Sequence, residues 1–270
     1  MPPRGPGHPY FDLPTPWLVA HRGGSLLAPE NTLEAFANAE ALGAVALETD
    51  VRLSRDGEVM VFHDAETSRL TGQPGTIEGR TRAELEALDA GFGFTPDGGR
   101  TFPWRGRGVR IPTLAAVLER FPRLRVNLEA KGDEPALAEA LARVLRAHRR
   151  EGSACVGAAA RRQAARLRRL LPEYARYLST AAAIPHVLAA FGLLPAALAP
   201  GGYHLAAFPN PRLAGRPVIG PRLVRYFHGR GMAIQIWTVD DEEEMRRLLA
   251  VGVDGIMSDR PDLLAKVLAG

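Results

Sequence analysis

Short apolar runs of strand length alternate along the chain with longer stretches that have helical spacing. Residues 33–42 and 134–149 are of the second kind, with apolar side chains recurring every three or four positions. Nearly every such stretch lies between two apolar runs, from residue 17 to residue 258. Strands that alternate with helices predict an α/β fold built on a parallel sheet.

The pattern contains one more candidate strand than a barrel of eight requires. The candidates are 17–20, 45–50, 58–63, 124–129, 154–157, 177–179, 203–208, 233–238 and 254–258. Only residues 53–58 or so separate the second candidate from the third, whereas a parallel crossover needs about a dozen residues. This pair therefore forms a hairpin or joins without a helix. The surplus strand lies either in this pair or at 203–208.

Capping residues predict where the helices begin. Asn31 is predicted to cap the first helix, with Glu34 reaching back to it. Thr81, Asp133 and Asp240 are predicted to cap later helices in the same way. Between these elements, residues 91–110 are rich in glycine, proline and aromatic residues, and so long a loop is usually functional or mobile.

Polar residues gather where the predicted strands end. Glu48 and Asp50 lie two positions apart and therefore on the same side of one strand. Two such carboxylates stay ionised together only when a cation lies between them, although salt bridges to arginines such as Arg22 and Arg52 are an alternative. His63 ends the next apolar run and is suited to moving protons near neutral pH. A metal site beside a histidine indicates hydrolysis of a phosphate ester.

An ordered set of short motifs resembles the glycerophosphodiester phosphodiesterase family. The motifs are His21-Arg22-Gly23, Glu30-Asn31-Thr32, Glu48-x-Asp50, His63-Asp64, Ile111-Pro112-Thr113-Leu114, Glu129-x-Lys131, Trp237-Thr238-Val239 and Gly252-Val253-Asp254-Gly255-Ile256. The resemblance implies a TIM-type (β/α)8 barrel of the phospholipase C-like phosphodiesterase architecture. It implies one domain over residues 1–270, with its core at about 17–268. The implied activity is metal-dependent hydrolysis of glycerophosphodiesters to glycerol 3-phosphate and an alcohol.

The resemblance also implies roles for individual residues. Glu48, Asp50 and Glu129 match the metal ligands, and their all-oxygen chemistry suits one Mg²⁺ or Ca²⁺, with Mn²⁺ as a third candidate. His21 and His63 match the acid–base pair, without showing which is the acid. Three further residues match positions that bind the phosphate or the glycerol: Arg22, Lys131 and Trp237.

The sequence leaves two questions open, the identity of the nucleophile and a hydroxyl contact to the substrate. The glycerol 2-hydroxyl attacks phosphorus first and forms a cyclic phosphate, or water attacks directly. The chain also has Ala158-Ala159 where family members often carry Ser-Phe, so a hydroxyl contact at that place is in doubt.

Other functions are alternatives to this one. Lysophospholipase D-type or sphingomyelinase D-type activity on the same barrel is the main alternative, and a catalytically inactive binding barrel is a weaker one. The arginines of residues 143–169 have no aromatic residues interleaved and no nucleic-acid motif, so no nucleic-acid partner is predicted. The predicted partner is a small glycerophosphodiester substrate, and the oligomeric state is left open.

Composition bears on the cellular compartment and on possible membrane contact. The single cysteine, Cys155, and an N-terminus without a signal-like apolar run predict a cytoplasmic protein. The net charge of +4 suits an anionic substrate. Residues 181–200 carry no charge but contain Pro185, Pro195 and Pro200. We predict buried or half-buried helices broken at these prolines, with a lipid-contacting surface as the lesser alternative and no integral membrane segment.

Overall fold

Eight parallel strands curve into a nearly closed barrel in the computed structural model of the chain, which describes residues 7–213 and 215–270, the side chain of Thr180 excepted. The barrel strands are β1 (Trp17–His21), β2 (Ala46–Leu53), β4 (Arg125–Ala130), β5 (Ala154–Gly157), β6 (Ala175–Arg176), β7 (Leu205–Pro209), β10 (Ala233–Trp237) and β11 (Gly255–Ser258). They are ordered β6-β5-β4-β2-β1-β11-β10-β7, and a parallel bridge between Tyr177 and Leu205 connects the two ends. The predicted barrel is confirmed.

Helices follow most of the barrel strands and form the outer layer. They are α1 (Leu33–Ala41), α2 (Ser68–Thr71), α3 (Arg82–Glu86), α4 (Leu114–Arg120), α5 (Pro135–Ala147), α6 (Arg161–Leu170), α7 (Thr180–Ala190), α8 (Pro221–Gly229), α9 (Glu242–Ala250) and α10 (Pro261–Ala269). Short 3-10 turns lie at Pro9–Phe11 and Ala196–Leu198. None of the helices in the described ranges is long and apolar enough to cross a bilayer.

The surplus strand is the third candidate. Strand β3 (Val59–Val61) pairs antiparallel with the end of β2, with Val51 opposite Val61. The close pair is therefore a hairpin, while the weak candidate at 203–208 belongs to the barrel as β7. A second hairpin of two short strands, β8 (Arg212–Leu213) and β9 (Arg216–Pro217), follows β7 and has no counterpart in the sequence prediction.

The register of the barrel brings polar residues of neighbouring strands side by side. His21 lies opposite Glu48 in the β1–β2 pair. Asp50 lies opposite Glu129 in the β2–β4 pair, and Glu48 is opposite Asn127. Because side chains alternate between the two faces of a strand, this register points Glu48, Asp50 and Glu129 to the same side of the sheet.

Apolar side chains fill the barrel below this polar end. The interior cluster consists of Tyr10, Phe11, Trp17, Val19, Ala46, Cys155, Ala175, Leu205, Ala233 and Met257. The turn Pro9–Phe11 contributes two of these aromatic rings, and the Tyr10 hydroxyl donates to the side-chain oxygen of Asn127. A larger core packs between the strands and the outer helices. The polar end of the barrel therefore rests on a packed apolar interior.

Three predicted caps differ in the structure. The first helix is capped by the Thr32 hydroxyl, which accepts from the Ala35 amide. Helix α5 begins at Pro135 without a side-chain cap, so Asp133 has no capping role. Helix α9 is capped by Asp241 rather than Asp240. Only the Thr81 prediction holds, as a capping box with Glu84.

The apolar stretch 181–200 also departs from its prediction. Helix α7 continues through Pro185 instead of breaking there, and the proline removes only one intrahelical hydrogen bond. After the helix, residues 191–193 and 195–198 are exposed. Large apolar side chains are exposed at five positions of the stretch: Ile184, Leu188, Phe191, Leu193 and Leu198.

Candidate active site

One cavity at the carboxyl ends of the strands gathers every predicted site residue. Its volume is about 270 Å³. Its lining includes His21, Arg22, Glu48, Asp50, His63, Glu129, Lys131 and Trp237. These residues come from β1, β2, β4, β10 and the segment after β3, so the barrel brings together groups up to 216 positions apart in the chain. This convergence was the central expectation from the sequence.

Three carboxylates lie close together in the cavity. Glu48, Asp50 and Glu129 each offer an oxygen, and these atoms all lie within 4.8 Å of one another. Glu48 is 8% exposed and Asp50 is 1% exposed. Burial, together with the neighbouring charges of Asp50 and Glu129, raises the pKa of Glu48 to about 8. The three groups therefore resist being ionised together.

Two cationic side chains and an amide partly balance this cluster. The Lys131 ammonium lies 3.1 Å from Asp50 Oδ1 and 3.0 Å from Glu129 Oε1. The Nε atom of Arg22 lies 3.4 Å from Asp50 Oδ2, and the Asn31 amide donates to the same oxygen at 3.2 Å. The salt-bridge alternative thus holds for Arg22 alone, because Arg52 bonds instead to Glu78 and to the His63 carbonyl.

The three carboxylates offer donor atoms of a single chemical kind. The cluster holds carboxylate oxygens and, within the described residues, no sulfur or imidazole ligand. Such oxygens suit a hard cation. Burial is the main cause of the raised pKa of Glu48, and the charges of Asp50 and Glu129 add to it, so a further positive charge would stabilise the ionised cluster. The residues present therefore fit a divalent ion.

Each of the two histidines is held by an aspartate. His21 Nδ1 lies 2.7 Å from Asp259 Oδ1, and the Ser25 hydroxyl also donates to Asp259. His63 Nδ1 lies 2.7 Å from Asp64 Oδ1. In this arrangement Nδ1 carries the proton that the aspartate accepts, which leaves Nε2 of each ring free to exchange a proton.

An ion-pair chain links one of these aspartates to the carboxylate cluster. Arg69 donates from Nε to Asp64 and from both terminal nitrogens to Glu30. Glu30 in turn accepts from Arg22 at 2.9 Å, and Arg22 faces Asp50. The contacts with Arg69 and His63 lower the pKa of Asp64 to about 2 against the opposing effect of burial. The orientation of His63 is therefore tied to that of Arg22.

The sequence did not identify several residues that shape the cavity. Asn31, predicted as a helix cap, has φ +59° and accepts from the Thr49 hydroxyl at 2.6 Å while donating to Asp50. Asp259 and Tyr177 had no predicted role. Tyr177 fills the space above Gly157, where a Cβ atom would meet its ring at 2.4 Å. Its ring and the small side chain of Ala159 both line the cavity.

Metal-free protein should lose stability as the pH rises. The folded pKa of Glu48 is raised from 4.5 to about 8, so the folded state holds this proton more tightly than the unfolded state. The stability linked to the proton is complete below about pH 4.5 and is lost as the pH rises toward 8. We expect the free energy of unfolding in urea with EDTA to fall by roughly 2–4 kcal/mol from pH 5 to pH 8. The Glu48→Gln variant is the control, and parallel pH profiles for the two proteins would contradict the expectation.

Comparisons with known proteins bear on the family to which the chain belongs. The model of the glycerophosphoryl diester phosphodiesterase family matches residues 21–263. A glycerophosphodiester phosphodiesterase of Caldanaerobacter subterraneus is 32% identical, and the match covers 93% of this chain and 97% of that protein. The rat lysophospholipase D GDPD1 is 26% identical over 93% of this chain and 85% of its own length.

A solved structure of similar sequence has the same fold. It is an Oleispira antarctica phosphodiesterase in complex with the product sn-glycerol-3-phosphate, with a TM-score of 0.76 and 27% identity. The match covers 95% of this chain and 98% of that one. The family model spans nearly the whole chain, and the barrel and its acidic cluster lie where the motifs predicted them. The chain is therefore an enzyme of the glycerophosphodiester phosphodiesterase family.

Proposed function

We propose that this enzyme hydrolyses glycerophosphodiesters to glycerol 3-phosphate and an alcohol, using one divalent cation and a pair of histidines. The observation that supports the proposal is the meeting of three carboxylates and two aspartate-bound imidazoles in one cavity. The similar Oleispira phosphodiesterase, whose structure contains the product sn-glycerol-3-phosphate, supports the same class of substrate.

Glu48, Asp50 and Glu129 are the proposed metal ligands. Mg²⁺ and Ca²⁺ are the favoured ions and Mn²⁺ the third candidate, because all three prefer oxygen ligands. When bound, the ion would supply positive charge beside the phosphate and stabilise the charge that develops on it. The Lys131 ammonium, 3.0 Å from Glu129, and the Arg22 guanidinium would hold the phosphoryl oxygens from the adjoining side of the cavity.

His21 and His63 are the proposed acid and base. One imidazolium gives its Nε2 proton to the departing alcohol oxygen, and the other, neutral imidazole takes a proton from the nucleophile. Asp259 and Asp64 keep the rings in the required tautomer. Burial alone would lower the pKa of His21, but the bond to Asp259 and the charge of Glu48 raise it above its usual value.

The nucleophile is either the glycerol 2-hydroxyl or water. A substrate that lacks the 2-hydroxyl separates the two, because only the route through a cyclic phosphate requires that group. Trp237 lines the cavity and is proposed to pack against the glycerol carbons.

Lysophospholipase D activity is the second candidate. Two observations favour it: the similarity to the rat lysophospholipase D, and an apolar wall of the cavity formed by Ala158, Ala159, Leu178, Leu205 and Ala207. Such a wall offers space to the first carbons of an acyl chain. Choline release from glycerophosphocholine and from lysophosphatidylcholine, measured side by side, separates the two activities.

Removal of the metal tests the main proposal. We expect EDTA-treated enzyme to release no glycerol 3-phosphate from a panel of glycerophosphodiesters, and Mg²⁺, Ca²⁺ or Mn²⁺ added singly to restore the release. Zn²⁺ at the same free concentration is the control, because its preferred ligands are nitrogen and sulfur. Full activity in EDTA, or restoration by every ion alike, would contradict the proposed site.

The cytoplasm remains the predicted location. Cys155 is buried as a free thiol, which agrees with a reducing compartment.

A further inference from the structure

The segment that follows the reaction cavity exposes apolar side chains to solvent. Helix α7 begins beside the cavity, where Ser179 caps it and also lines the cavity. Ile184, Leu188 and Phe191 then follow at helical spacing on the outer side of the helix. Ile184 is 57% exposed, and the next segment exposes Leu193 at 74% and Leu198 at 64%.

Residues 191–198 have no polar side chain at all. Their sequence is Phe-Gly-Leu-Leu-Pro-Ala-Ala-Leu, and each residue except Leu194 is exposed. Single exposed leucines are normal on a protein surface, but an unbroken exposed apolar segment marks an interaction site. We name the five exposed side chains of this stretch the α7 surface: Ile184, Leu188, Phe191, Leu193 and Leu198.

The part of the chain that carries this surface is strongly basic. Residues 152–239 contain eleven arginines and a single acidic residue, Glu173. The remaining residues carry 23 basic and 29 acidic side chains, so the positive net charge of the protein comes entirely from this third of the chain. Glu173 itself is bonded to Arg146 of α5.

Arginines flank the α7 surface on both sides. On the α8 side, Arg222 donates to the Ala190 carbonyl at 2.7 Å, and Arg230 donates to the carbonyls of Ala196 and Ala199. On the α6 side, Arg161 and Arg168 line a groove of about 260 Å³ against Pro185. Within the ranges that the structure describes, none of these four guanidinium groups lies within ion-pair distance of a carboxylate.

From this arrangement we propose that the α7 surface docks on an anionic phospholipid bilayer. Apolar side chains would enter the boundary between headgroups and acyl chains, and the flanking arginines would bind the headgroup phosphates. The occupant is inferred from charge complementarity. This proposal does not depend on the reaction proposed above.

Two other occupants fit the surface less well. A second copy of the chain, paired through the same face, would bring the same uncompensated arginines together, and like charges repel. A protein interface normally forms about one hydrogen bond per 100–200 Å². The side chains of residues 191–198 can form none, whereas lipid tails require none.

Sedimentation with vesicles tests the proposal. The probes are sucrose-loaded vesicles of phosphatidylcholine alone and of phosphatidylcholine with about 30% phosphatidylglycerol, since each basic residue near an anionic surface contributes roughly fivefold to binding. We expect the full chain to bind only the anionic vesicles, and to lose binding as NaCl rises from about 0.05 to 0.5 M. No binding, or equal binding to both vesicles, would overturn the proposal.

Matched variants separate the contribution of the apolar side chains from that of the flanking arginines. Leu193→Ser with Leu198→Ser should weaken binding about tenfold or more. Leu213→Ser is the control, because Leu213 is 75% exposed but lies outside the α7 surface. Arg161→Gln with Arg168→Gln should weaken binding by roughly 25-fold. The pair Arg107→Gln and Arg110→Gln, which removes the same charge from another exposed loop, should have little effect.

Further outcomes exclude the other occupants. If sedimentation velocity shows a dimer that Leu193→Ser with Leu198→Ser disperses, the surface is an interface between copies and the proposal is wrong. Equally tight binding to mixed-sequence RNA that the serine variants do not change would assign the arginines to nucleic acid and also overturn it. Circular dichroism and the midpoint of thermal unfolding show whether each variant is folded, and neither readout depends on lipid binding or on the proposed reaction.

Discussion

Replacing Glu48 by glutamine is expected to stop turnover while making the metal-free protein more stable. The amide is a weaker ligand than the carboxylate, so affinity for the divalent ion should fall. Charge stabilisation of this kind is commonly worth 10²–10³ in rate per group, and we expect kcat/KM to fall by roughly 10³-fold or more. The same change removes one of three carboxylates whose oxygens lie within 4.8 Å of one another.

The gain in stability follows from the raised pKa of Glu48, which is about 8. At pH 8 the wild-type carboxyl is almost fully ionised in the unfolded chain but only about half ionised in the folded protein, so its ionisation favours unfolding. The amide cannot ionise and therefore does not have this effect. Metal-free Glu48→Gln should therefore unfold several degrees higher than metal-free wild type at pH 8. Because the protein is stabilised, loss of activity cannot be attributed to unfolding.

The measurements are thermal unfolding in EDTA and titration with Mn²⁺ or Ca²⁺ followed by calorimetry. Glu78→Gln is the matched control, because it makes the same chemical change at a half-buried glutamate that pairs with Arg52 outside the cavity. It should leave turnover within about twofold. Wild-type metal affinity in Glu48→Gln, or unchanged turnover, would remove Glu48 from the proposed ligands.

The location of the candidate site could be predicted together with the fold, because the residue types at the strand ends carry the chemistry themselves. Glu48 and Asp50 lie two positions apart in one strand, so strand alternation alone placed them on the same side. Glu129 and the histidines needed the barrel, which the order of the strands and the motif resemblance supplied. The register of β2 and β4 then fixed what the sequence left open, since it sets Asp50 directly opposite Glu129.

Residues that act through other residues were harder to predict. Asn31 precedes a helix and is a residue type that often caps helices. Thr32, next to it, can cap a helix equally well. The structure gives the cap to Thr32 and turns Asn31 toward Asp50. Asp259 lies 238 positions from His21, and no local pattern connects the two. Such pairings depend on tertiary packing.

The prediction of burial for the apolar stretch 181–200 failed for a different reason. Apolar composition predicts burial, but it does not show how much surface the rest of the protein has available to cover the segment. The outer face of α7 is left uncovered, Pro185 lies within the helix, and Pro195 precedes the 3-10 turn that follows. The lesser alternative from the sequence, a lipid-contacting surface, is the one that the proposed docking surface develops.

Replacing His63 by alanine is expected to lower kcat by roughly 10²–10⁴-fold while metal affinity stays within about threefold of wild type. The reason is the division of labour in the cavity. In the proposed mechanism the carboxylates hold the ion, whereas the imidazole only moves a proton and is held in place by Asp64 at 2.7 Å. His21→Ala should behave in the same way, with Asp259 as the corresponding partner.

A matched control exists in the same molecule. His228 bonds to Asp254 at 2.8 Å in a similar histidine–aspartate pair, but it lies on α8 and does not line the cavity. His228→Ala should therefore keep nearly full turnover, even if its thermal stability falls as much as that of the cavity variants.

The leaving group distinguishes the acid from the base. A substrate with a nitrophenol leaving group departs without needing a proton, so the variant that lacks the acid should recover most of its rate on it, and the variant that lacks the base should not. If both variants recover equally, or if either loses its metal, the proposed division between ion binding and proton transfer is wrong. A difference between them would assign the acid, which neither the sequence nor the similar aspartate contacts of the two rings can do.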